Sequence, residues 1–319
     1  MRRLRSAPWI RRLVSETTLS PHNLVLPIFL RENESVPAEI KSLPGVKRLT
    51  PKEALAQTEK AAALEISAVA LFPWVDDADK DPGCRLAVNP ENLVCRTIAA
   101  LKKNTPEIGV ICDVALDPYN SLGHDGLVSD EGVILNDETN ALLAEQAVVL
   151  ALAGADVVAP SDMMDGRVGV IRSALEGAGF IDTKILSYAA KFASCLYGPF
   201  RDAVGSSGSL RGDKRTYQMN PANYGEAMRE VALDVGEGAD MLMVKPGLPY
   251  LDIIRGVKDG FGLPTFAYQV SGEYAMLRYA ADAGALEWER ALYETALCLR
   301  RAGADGIFTY AAIDLAKLT

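Results

Sequence analysis

The stretch Glu237-Gly238-Ala239-Asp240-Met241-Leu242-Met243-Val244-Lys245-Pro246-Gly247 carries the two features that decide the fold and the chemistry of this 319-residue chain. Its first glycine follows a helical pattern and supplies the left-handed conformation that ends a helix. The apolar run after it predicts a buried strand of a parallel sheet. A lysine comes directly after that strand, so the stretch predicts an α/β fold with a lysine at the carboxyl end of a buried strand.

The same pattern occurs at Ala153-Gly154-Ala155-Asp156 and at Ala302-Gly303-Ala304-Asp305. Apolar runs of strand length occur at eight places: Leu24–Leu30, Ile66–Phe72, Gly109–Leu116, Asp156–Pro160, Lys184–Ala190, Met241–Val244, Thr265–Val270 and Gly306–Tyr310. Eight strands alternating with helices favour a closed (β/α)8 TIM barrel. The alternative, an open doubly wound sheet, would normally carry a glycine-rich phosphate loop after its first strand, and the sequence has none there.

Sequence patterns typical of helices support the helices predicted between these strands. Thr50 is a predicted N-cap, with Pro51 in the first turn and Glu53 closing a capping box. A second helix is predicted from about Asp137 to Ala153 because its apolar residues recur at helical spacing.

Two segments fall outside the minimal barrel. Residues 1–23 predict an N-terminal arm, and residues 24–319 are then the barrel domain. Residues 192–222 form a long insertion between the fifth and sixth strands that includes Val204-Gly205-Ser206-Ser207-Gly208-Ser209. Long loops in compact domains are usually functional, and Gly and Ser favour mobility, so we interpret the insertion as an active-site lid. A tolerated surface loop is the alternative.

Composition argues against several classes of protein. The net charge is 33 − 42 = −9, which disfavours general nucleic-acid binding. No apolar stretch approaches the roughly 20 residues that cross a bilayer, so we expect no membrane span. Five cysteines without a Cys-x-x-Cys pair fit a reducing compartment, and we expect a cytoplasmic protein. With only His22 and His124 in the chain, a histidine-rich zinc site cannot be assembled.

Polar residues stand at the predicted carboxyl ends of the third to eighth strands, where barrel enzymes build their active sites. They are Asp113, Asp117, Ser161, Asp162, Lys191, Lys245, Ser271 and Tyr310. Polar groups at the end of one strand after another predict a pocket at this end of the barrel.

Lys191 and Lys245 are predicted to end adjacent strands, which lie about 4.8 Å apart. Burial and mutual repulsion both disfavour the charged forms, so at least one amine should be neutral near pH 7. A neutral amine is the nucleophile that attacks a ketone to form a Schiff base. The alternative is that each lysine extends to solvent or pairs with an aspartate.

Asp113 and Asp117 are four positions apart, so strand alternation would direct both to the same side. Clustered carboxylates act as acid and base or bind a hard cation, and ion pairing with the lysines is compatible with both uses. The insertion also carries four cations that suit a substrate with carboxylate groups, or else form a solvated run: Arg201, Arg211, Lys214 and Arg215.

Two segments resemble those of the porphobilinogen synthase (5-aminolaevulinate dehydratase) family. Met241–Val244 followed by Lys245-Pro246-Gly247-Leu248-Pro249-Tyr250-Leu251-Asp252 is similar to the family's Schiff-base lysine segment. Lys191-Phe192-Ala193-Ser194-Cys195-Leu196-Tyr197-Gly198-Pro199-Phe200-Arg201-Asp202 resembles its second-lysine motif. The resemblance runs from about Arg11 to the C-terminus, and both motifs are highly specific.

The resemblance implies that two 5-aminolaevulinates condense to porphobilinogen, a tetrapyrrole precursor, with loss of two waters. Lys245 would hold the first substrate as an imine in the P site, and Lys191 would hold the second in the A site. The remaining predicted substrate contacts are Ser271 and Tyr310 on the first carboxylate, Arg201, Lys214 and Gln218 on the second, and Ser161, Tyr197 and Phe200. The family forms homo-octamers in which the arm embraces a neighbouring barrel, so we expect a homo-oligomer, an octamer or alternatively a hexamer.

Metal use differs among family members. Zinc-dependent relatives place three cysteines at the positions held here by Ala115, Asp117 and Asp125, so we expect no catalytic zinc. The sequence is typical of an aspartate-bearing branch that magnesium activates at an allosteric site away from the chemistry. Glu230 matches the glutamate that such members use for that magnesium through water. No organic cofactor is expected.

A further cation at Asp117 and Asp125 is left open. Leu122 stands where many relatives have a histidine, two residues before His124. The resemblance therefore implies the regulatory magnesium more strongly than a cation at the aspartates.

Two other functions are considered. A class I aldolase would use one Schiff-base lysine on the same barrel, but it would require a phosphate-binding site near the seventh and eighth strands. The segment there, Gln269-Val270-Ser271-Gly272-Glu273, does not supply a convincing one. The second alternative is a catalytically inactive oligomeric scaffold.

Overall fold

The computed structural model describes residues 2–205 and 212–319. Within these residues one parallel sheet contains strands β1 (Leu24–Leu30), β2 (Arg48–Leu49), β3 (Ala68–Pro73), β4 (Gly109–Val114), β5 (Val157–Pro160), β6 (Lys184–Lys191), β7 (Met241–Lys245), β8 (Thr265–Tyr268) and β9 (Gly306–Phe308). Strands β3 to β9 follow β1 in spatial order, and β9 pairs back with β1. The eight longer strands therefore close into a barrel, which confirms the predicted TIM-barrel fold.

Closure of the barrel takes place on one edge of β1. Leu24 and Val25 at its start pair with β9, whereas Phe29 and Leu30 at its end pair with the short strand β2. Every residue of β1 is buried, as expected for a strand covered on both faces. Strand β2 was not predicted, because two residues are too few to show a period.

Helices cover the outside of the barrel and contribute segments at its carboxyl end. They are α1 (Pro8–Leu13), α2 (Pro51–Ala63), α3 (Leu93–Asn104), α4 (Asn136–Ala153), α5 (Arg167–Gly177), α6 (Gly198–Val204), α7 (Tyr224–Gly236), α8 (Leu251–Phe261), α9 (Ser271–Asp282), α10 (Trp288–Ala302) and α11 (Ala312–Ala316). The helix predicted from about Asp137 is α4.

The predicted helix signals are confirmed. The Thr50 hydroxyl accepts the Glu53 backbone N–H, and the Glu53 carboxylate accepts the Thr50 N–H, so both halves of the capping box are present. Gly154, Gly238 and Gly303 have φ of 106°, 102° and 117°, the left-handed region that the helix-ending pattern predicted.

Six of the eight predicted strands end at other residues than predicted: β3, β6 and β7 run one residue further, so that both lysines belong to their strands, and β4, β8 and β9 end two residues earlier. β4 ends at Val114, β8 at Tyr268 and β9 at Phe308, and β3 runs from Ala68 to Pro73. Asp117 and Tyr310 therefore lie in connections beyond their strands, and Ser271 is the first residue of α9. Asp117 does not belong to β4 as predicted, because the chain leaves the extended conformation at Ala115.

The predicted arm and the predicted insertion each contain a short helix, α1 and α6. Helix α1 has no buried residue, and the arm exposes Trp9 and Leu13. The insertion contains a 3-10 turn at Cys195–Tyr197 and then α6. Ser206–Ser209 and Arg211 of the predicted lid lie outside the described residues, so the lid stays a prediction. Across residues 2–205 and 212–319, no helix has the length and apolarity of a membrane span.

Replacing Thr50 by alanine tests the capping box. Thr50→Ala removes the side-chain acceptor at the start of α2 and is expected to lower the free energy of unfolding by about 1 kcal/mol, measured by denaturant titration. Thr50→Ser is the matched control, since it keeps the hydroxyl. Equal stability of the alanine variant and the wild type would contradict this role.

Candidate active site

Lys191 and Lys245 are the last residues of two adjacent strands. β6 and β7 pair in parallel, and Lys191 and Lys245 are directly opposite each other in the register. Both side chains point into the carboxyl end of the barrel, and each residue is 5% exposed. The predicted adjacency of two buried amines is therefore present.

Lys245 lies in an aromatic cage formed by Tyr188, Tyr197, Phe200 and Tyr268. Its Nζ is 4.7 Å from the ring centroid of Tyr268 and 4.9 Å from that of Phe200. The rings of Tyr188 and Tyr197 lie at 5.0 and 5.4 Å. In the described part of the chain, this amine has no hydrogen-bond or ion-pair partner.

The cage and the neighbouring lysine favour an uncharged Lys245. Burial is the largest cause and Lys191 the next, and together they lower the pKa of Lys245 from 10.5 to about 7, although Asp113, Asp117 and Asp125 oppose the shift. Aromatic faces attract an ammonium by about 0.5–2 kcal/mol. Removing a charge from water costs several kcal/mol, which exceeds that attraction. The neutral form of Lys245 is therefore well populated near pH 7.

Lys191 is in a different electrostatic environment. Its Nζ donates to Asp125 Oδ1 at 3.1 Å and to the backbone carbonyl of Ser161. Lys214 reaches the other oxygen of Asp125 at 2.6 Å and lies 3.4 Å from Asp117. Asp125 therefore serves as the shared counter-ion of two buried ammonium groups.

The pKa shifts agree with this sharing. Burial alone would raise the pKa of Asp125, but Lys191 and Lys214 together hold it below its usual range. Burial lowers the pKa of Lys214, and Asp125 and Asp117 raise it by more, so the net shift is upward. Lys214 and Asp125 therefore form a charged pair, while Lys245 lacks one.

Asp113 supplies a second group that titrates near neutrality. Burial is the main cause that raises the pKa of Asp113 to about 7, with Asp117 adding to it and Lys245 opposing it. Its Oδ1 is buried without a hydrogen-bond partner among the described residues, and the Ser161 hydroxyl contacts the carboxylate. Asp113 is thus, with Lys245, a second group of the site whose protonation changes near pH 7.

The predicted substrate-binding residues lie around these groups, but their present partners are protein atoms. The Ser271 hydroxyl accepts the Phe200 backbone N–H at 2.9 Å, and the Tyr310 and Tyr268 hydroxyls are 3.2 Å apart. Gln218 is buried, and its backbone N–H donates to the Lys214 carbonyl at 2.9 Å. Arg201 is half-buried on α6, next to Phe200.

Tyr188, Tyr268, Tyr217 and Glu273 were missed by the sequence reasoning. Tyr188 and Tyr268 sit inside buried strands, where an aromatic residue looks like ordinary core. The Tyr217 hydroxyl is 3.0 Å from Asp125 Oδ2 and 3.1 Å from His124 Nδ1, a contact that no spacing predicts. Glu273 accepts N–H groups from Gly247, Leu248 and Val270 and so fixes the turn after Lys245.

Glu230 lies apart from the lysines, on α7, and lines a cavity of about 500 Å³ together with Asp165, Arg215, Tyr217 and Glu226. Burial raises the pKa of Glu230, and the carboxylates of Asp165 and Asp234 raise it further. This local excess of negative charge fits a cation. Among the described residues no three His, Cys, Asp or Glu side chains are arranged as a metal site, so such a cation would keep most of its waters.

The family model for delta-aminolevulinic acid dehydratase matches residues 1–318. The chain belongs to the delta-aminolevulinic acid dehydratase family. It is 57% identical over 316 residues to the delta-aminolevulinic acid dehydratase of Bradyrhizobium diazoefficiens, covering 99% of this chain and 89% of that protein. Identity to the Rhodobacter capsulatus enzyme is 54% over 318 residues, covering 100% of this chain and 96% of that protein.

A solved delta-aminolevulinic acid dehydratase (porphobilinogen synthase) from Toxoplasma gondii, in complex with the reaction product porphobilinogen, has the same fold. Its TM-score to this chain is 0.97 at 47% identity, and the match covers 100% of this chain and 90% of that one. The family resemblance inferred from the two lysine motifs is therefore confirmed.

Removing the shared counter-ion tests the charge arrangement of this dehydratase-family site. Asp125→Asn leaves the ammonium groups of Lys191 and Lys214 buried without their common anion, and is expected to lower the free energy of unfolding by about 3–5 kcal/mol. The double variant Asp125→Asn/Lys214→Met should recover part of that loss, because only one ammonium then remains. Denaturant titration of both variants checks this, and a single variant as stable as the wild type would contradict it.

Proposed function

We propose that this chain condenses two molecules of 5-aminolaevulinate to porphobilinogen with loss of two waters, and that Lys245 and Lys191 form the two Schiff bases. The activity accords with the names of its close relatives and with the product in the solved Toxoplasma structure. Such an enzyme is a lyase of tetrapyrrole biosynthesis. The residue roles rest on the geometry of this chain.

The observation that carries the proposal is the unequal surroundings of two adjacent amines. Lys191 has Asp125 at 3.1 Å, whereas Lys245 has four aromatic rings around it and no anionic contact among the described residues. An uncharged amine attacks the ketone carbon of the first substrate, and the carbonyl oxygen leaves as water when the imine forms. Lys245 is thus the residue that begins the reaction.

Asp113 is the proposed acid–base partner of Lys245. With its pKa raised to about 7, this carboxyl can give a proton to the leaving hydroxyl and regain one from the next step. Asp117 lies beside it and helps to hold that proton, since its charge is the second-largest cause that raises the Asp113 pKa.

The second imine forms on Lys191 in this scheme, after its ammonium has passed a proton to Asp125, which the Nζ contacts at 3.1 Å. The neutral amine then attacks the second ketone, and the carbonyl oxygen leaves as water. An iminium there would keep the positive charge that Asp125 already balances, so the counter-ion stabilises the intermediate as well as the resting lysine. The substrate carboxylate in this site would bind Arg201, Lys214 and Gln218. Lys214 must then turn from Asp125 and Asp117 towards the substrate, which links substrate binding to the charge of the Lys191 site.

Ser271 and Tyr310 are proposed for the carboxylate of the first substrate. Ser271 begins α9, where its hydroxyl and the free N–H groups of the helix start favour an anion. The Tyr310 hydroxyl already forms a hydrogen bond with the cage residue Tyr268, which places it one ring away from Lys245. Ser161, Tyr197 and Phe200 complete the walls.

The family depends on metal ions, and magnesium at Glu230 is the proposed form of that dependence here. Glu230 and Asp165 would hold the ion largely through water, and its positive charge would neutralise this acidic cavity.

The chain is proposed to act as a homo-octamer, with a hexamer as the alternative, in which the exposed Trp9 and Leu13 of the arm pack on a neighbouring barrel. Action in the cytoplasm also stays a prediction.

Borohydride trapping tests the role of Lys245. Reduction in the presence of 5-aminolaevulinate should place a covalent adduct on Lys245, located by peptide mass spectrometry. The trapping rate should reach half of its maximum near pH 7 and level off at about pH 8 and above, because the neutral fraction of an amine with a pKa of about 7 rises over that range. Lys245→Met should abolish turnover, whereas Lys317→Met, on the surface, should not; an adduct on another lysine would contradict the assignment.

Magnesium dependence tests the role of Glu230. Glu230→Gln should remove the activation by added magnesium and leave the activity measured in chelator unchanged, because the ion is proposed to act away from the lysines. Steady-state assays with and without magnesium measure this. Full magnesium activation of the variant would overturn the assignment of the site.

The same experiments separate the alternatives. A class I aldolase would turn over a sugar phosphate rather than 5-aminolaevulinate, and an inactive scaffold would turn over neither. No observation in the structure favours either alternative over the proposed function.

A further inference from the structure

Two buried cations bind the C-terminal end of helix α6. The guanidinium of Arg48 donates to the carbonyl oxygens of Ala203 at 2.7 Å and Asp202 at 2.5 Å. The ammonium of Lys80 donates to the carbonyl oxygen of Gly205 at 2.8 Å. These acceptors belong to the last turn of the helix and its cap, where carbonyls lack the full set of intrahelical partners, although the Asp202 carbonyl also accepts the Gly205 N–H at 3.3 Å.

Both cations also hold segments at the barrel mouth. Arg48 is on β2 and donates to the carbonyls of Pro37 and Glu39, at 3.1 and 3.3 Å. Lys80 pairs with Asp77 at 2.7 Å, and its side chain is 1% exposed. Burying two charges mostly against backbone carbonyls is costly. A helix in a tolerated surface loop would not need two buried cations at its end. This arrangement therefore indicates that the position of α6 is important for the site.

The other end of α6 reaches the aromatic cage. The Phe200 backbone N–H donates to Ser271, and the Phe200 ring packs edge-on against Phe72 at 5.4 Å. That ring lies 4.9 Å from Lys245 Nζ. A seven-residue helix is not stable by itself, so the location of the ring depends on what holds the helix.

We propose that Arg48 and Lys80 are positioning residues for the reaction, which fix α6 and thereby hold the Phe200 ring over the amine of Lys245. The inference rests on the proposed function and extends it to two cations that do not touch the substrate pocket. Neither residue is a catalytic residue, since each acts through the helix.

The consequence for chemistry is the hydration of the amine. Charged and titratable groups face Lys245 from several elements, namely Lys191 and Tyr188 on β6, Asp113 on β4, Asp117 and Asp125 in the following connection, Tyr197 before α6, and Tyr268 on β8. All of these lie outside α6, whose contact with the amine is the apolar ring of Phe200. Loosening α6 therefore admits water to Lys245 without removing any of these groups.

The test is the pH dependence of borohydride trapping on Lys245 with 5-aminolaevulinate. Arg48→Lys keeps the charge but cannot reach the same carbonyls with one ammonium, and Lys80→Met removes the second cation. In each variant the midpoint should rise by about one pH unit, so trapping should be about fivefold slower at pH 7 and unchanged at pH 10. Arg290→Lys is the matched control, because the Arg290 side chain is 81% exposed.

Phe200→Ala should reproduce the shift, and Arg48→Lys/Phe200→Ala should shift no further than either change alone, because both act through one ring. Variants that lose thermal stability but keep the wild-type midpoint would overturn the inference and leave the proposed function intact. Additive shifts in the double variant would overturn it as well. Absence of any adduct on Lys245 in the wild type would overturn the proposed function, and this inference with it.

Discussion

Asp125 is the carboxylate on which the electrostatics of the site depend. It contacts Lys191 and Lys214 through its two oxygens, and Tyr217 fixes its orientation. Because this anion is committed to two cations, it leaves Lys245 with rings rather than charges as direct contacts. The lysines are opposite each other in the register of two strands, yet only Lys191 contacts a carboxylate, so Lys245 is the amine that more readily becomes the first nucleophile near neutral pH.

This arrangement requires a rigid surrounding. A lysine pKa lowered from 10.5 to about 7 corresponds to a free-energy difference on the order of 5 kcal/mol between the protonation states. Solvent entering the aromatic cage would reduce this free-energy difference. Glu273 fixes the turn after Lys245, and Ser271 joins α9 to the backbone of Phe200. Residues outside the pocket thus determine the reactivity of the amine inside it.

The sequence predicted those parts of the molecule that depend on local patterns. Strand runs, the glycines that end helices, the Thr50 capping box and the position of both lysines after their strands are local features, and the structure contains them. The sequence did not predict features that depend on contacts between residues far apart in the chain. Asp117 was expected on the strand, and it reaches Lys214 from a connection. Tyr188 and Tyr268 have the pattern of core residues, and only the closed barrel brings their rings to Lys245.

A direct titration of the Lys245 amine tests the central claim. Lysine labelled with ¹³C at Cε, with the resonance assigned by comparison with Lys245→Arg, reports its protonation in the substrate-free protein. The account predicts a midpoint near pH 7. A midpoint close to that of an ordinary lysine, above pH 9, would contradict it, because the amine would then be charged when the ketone arrives.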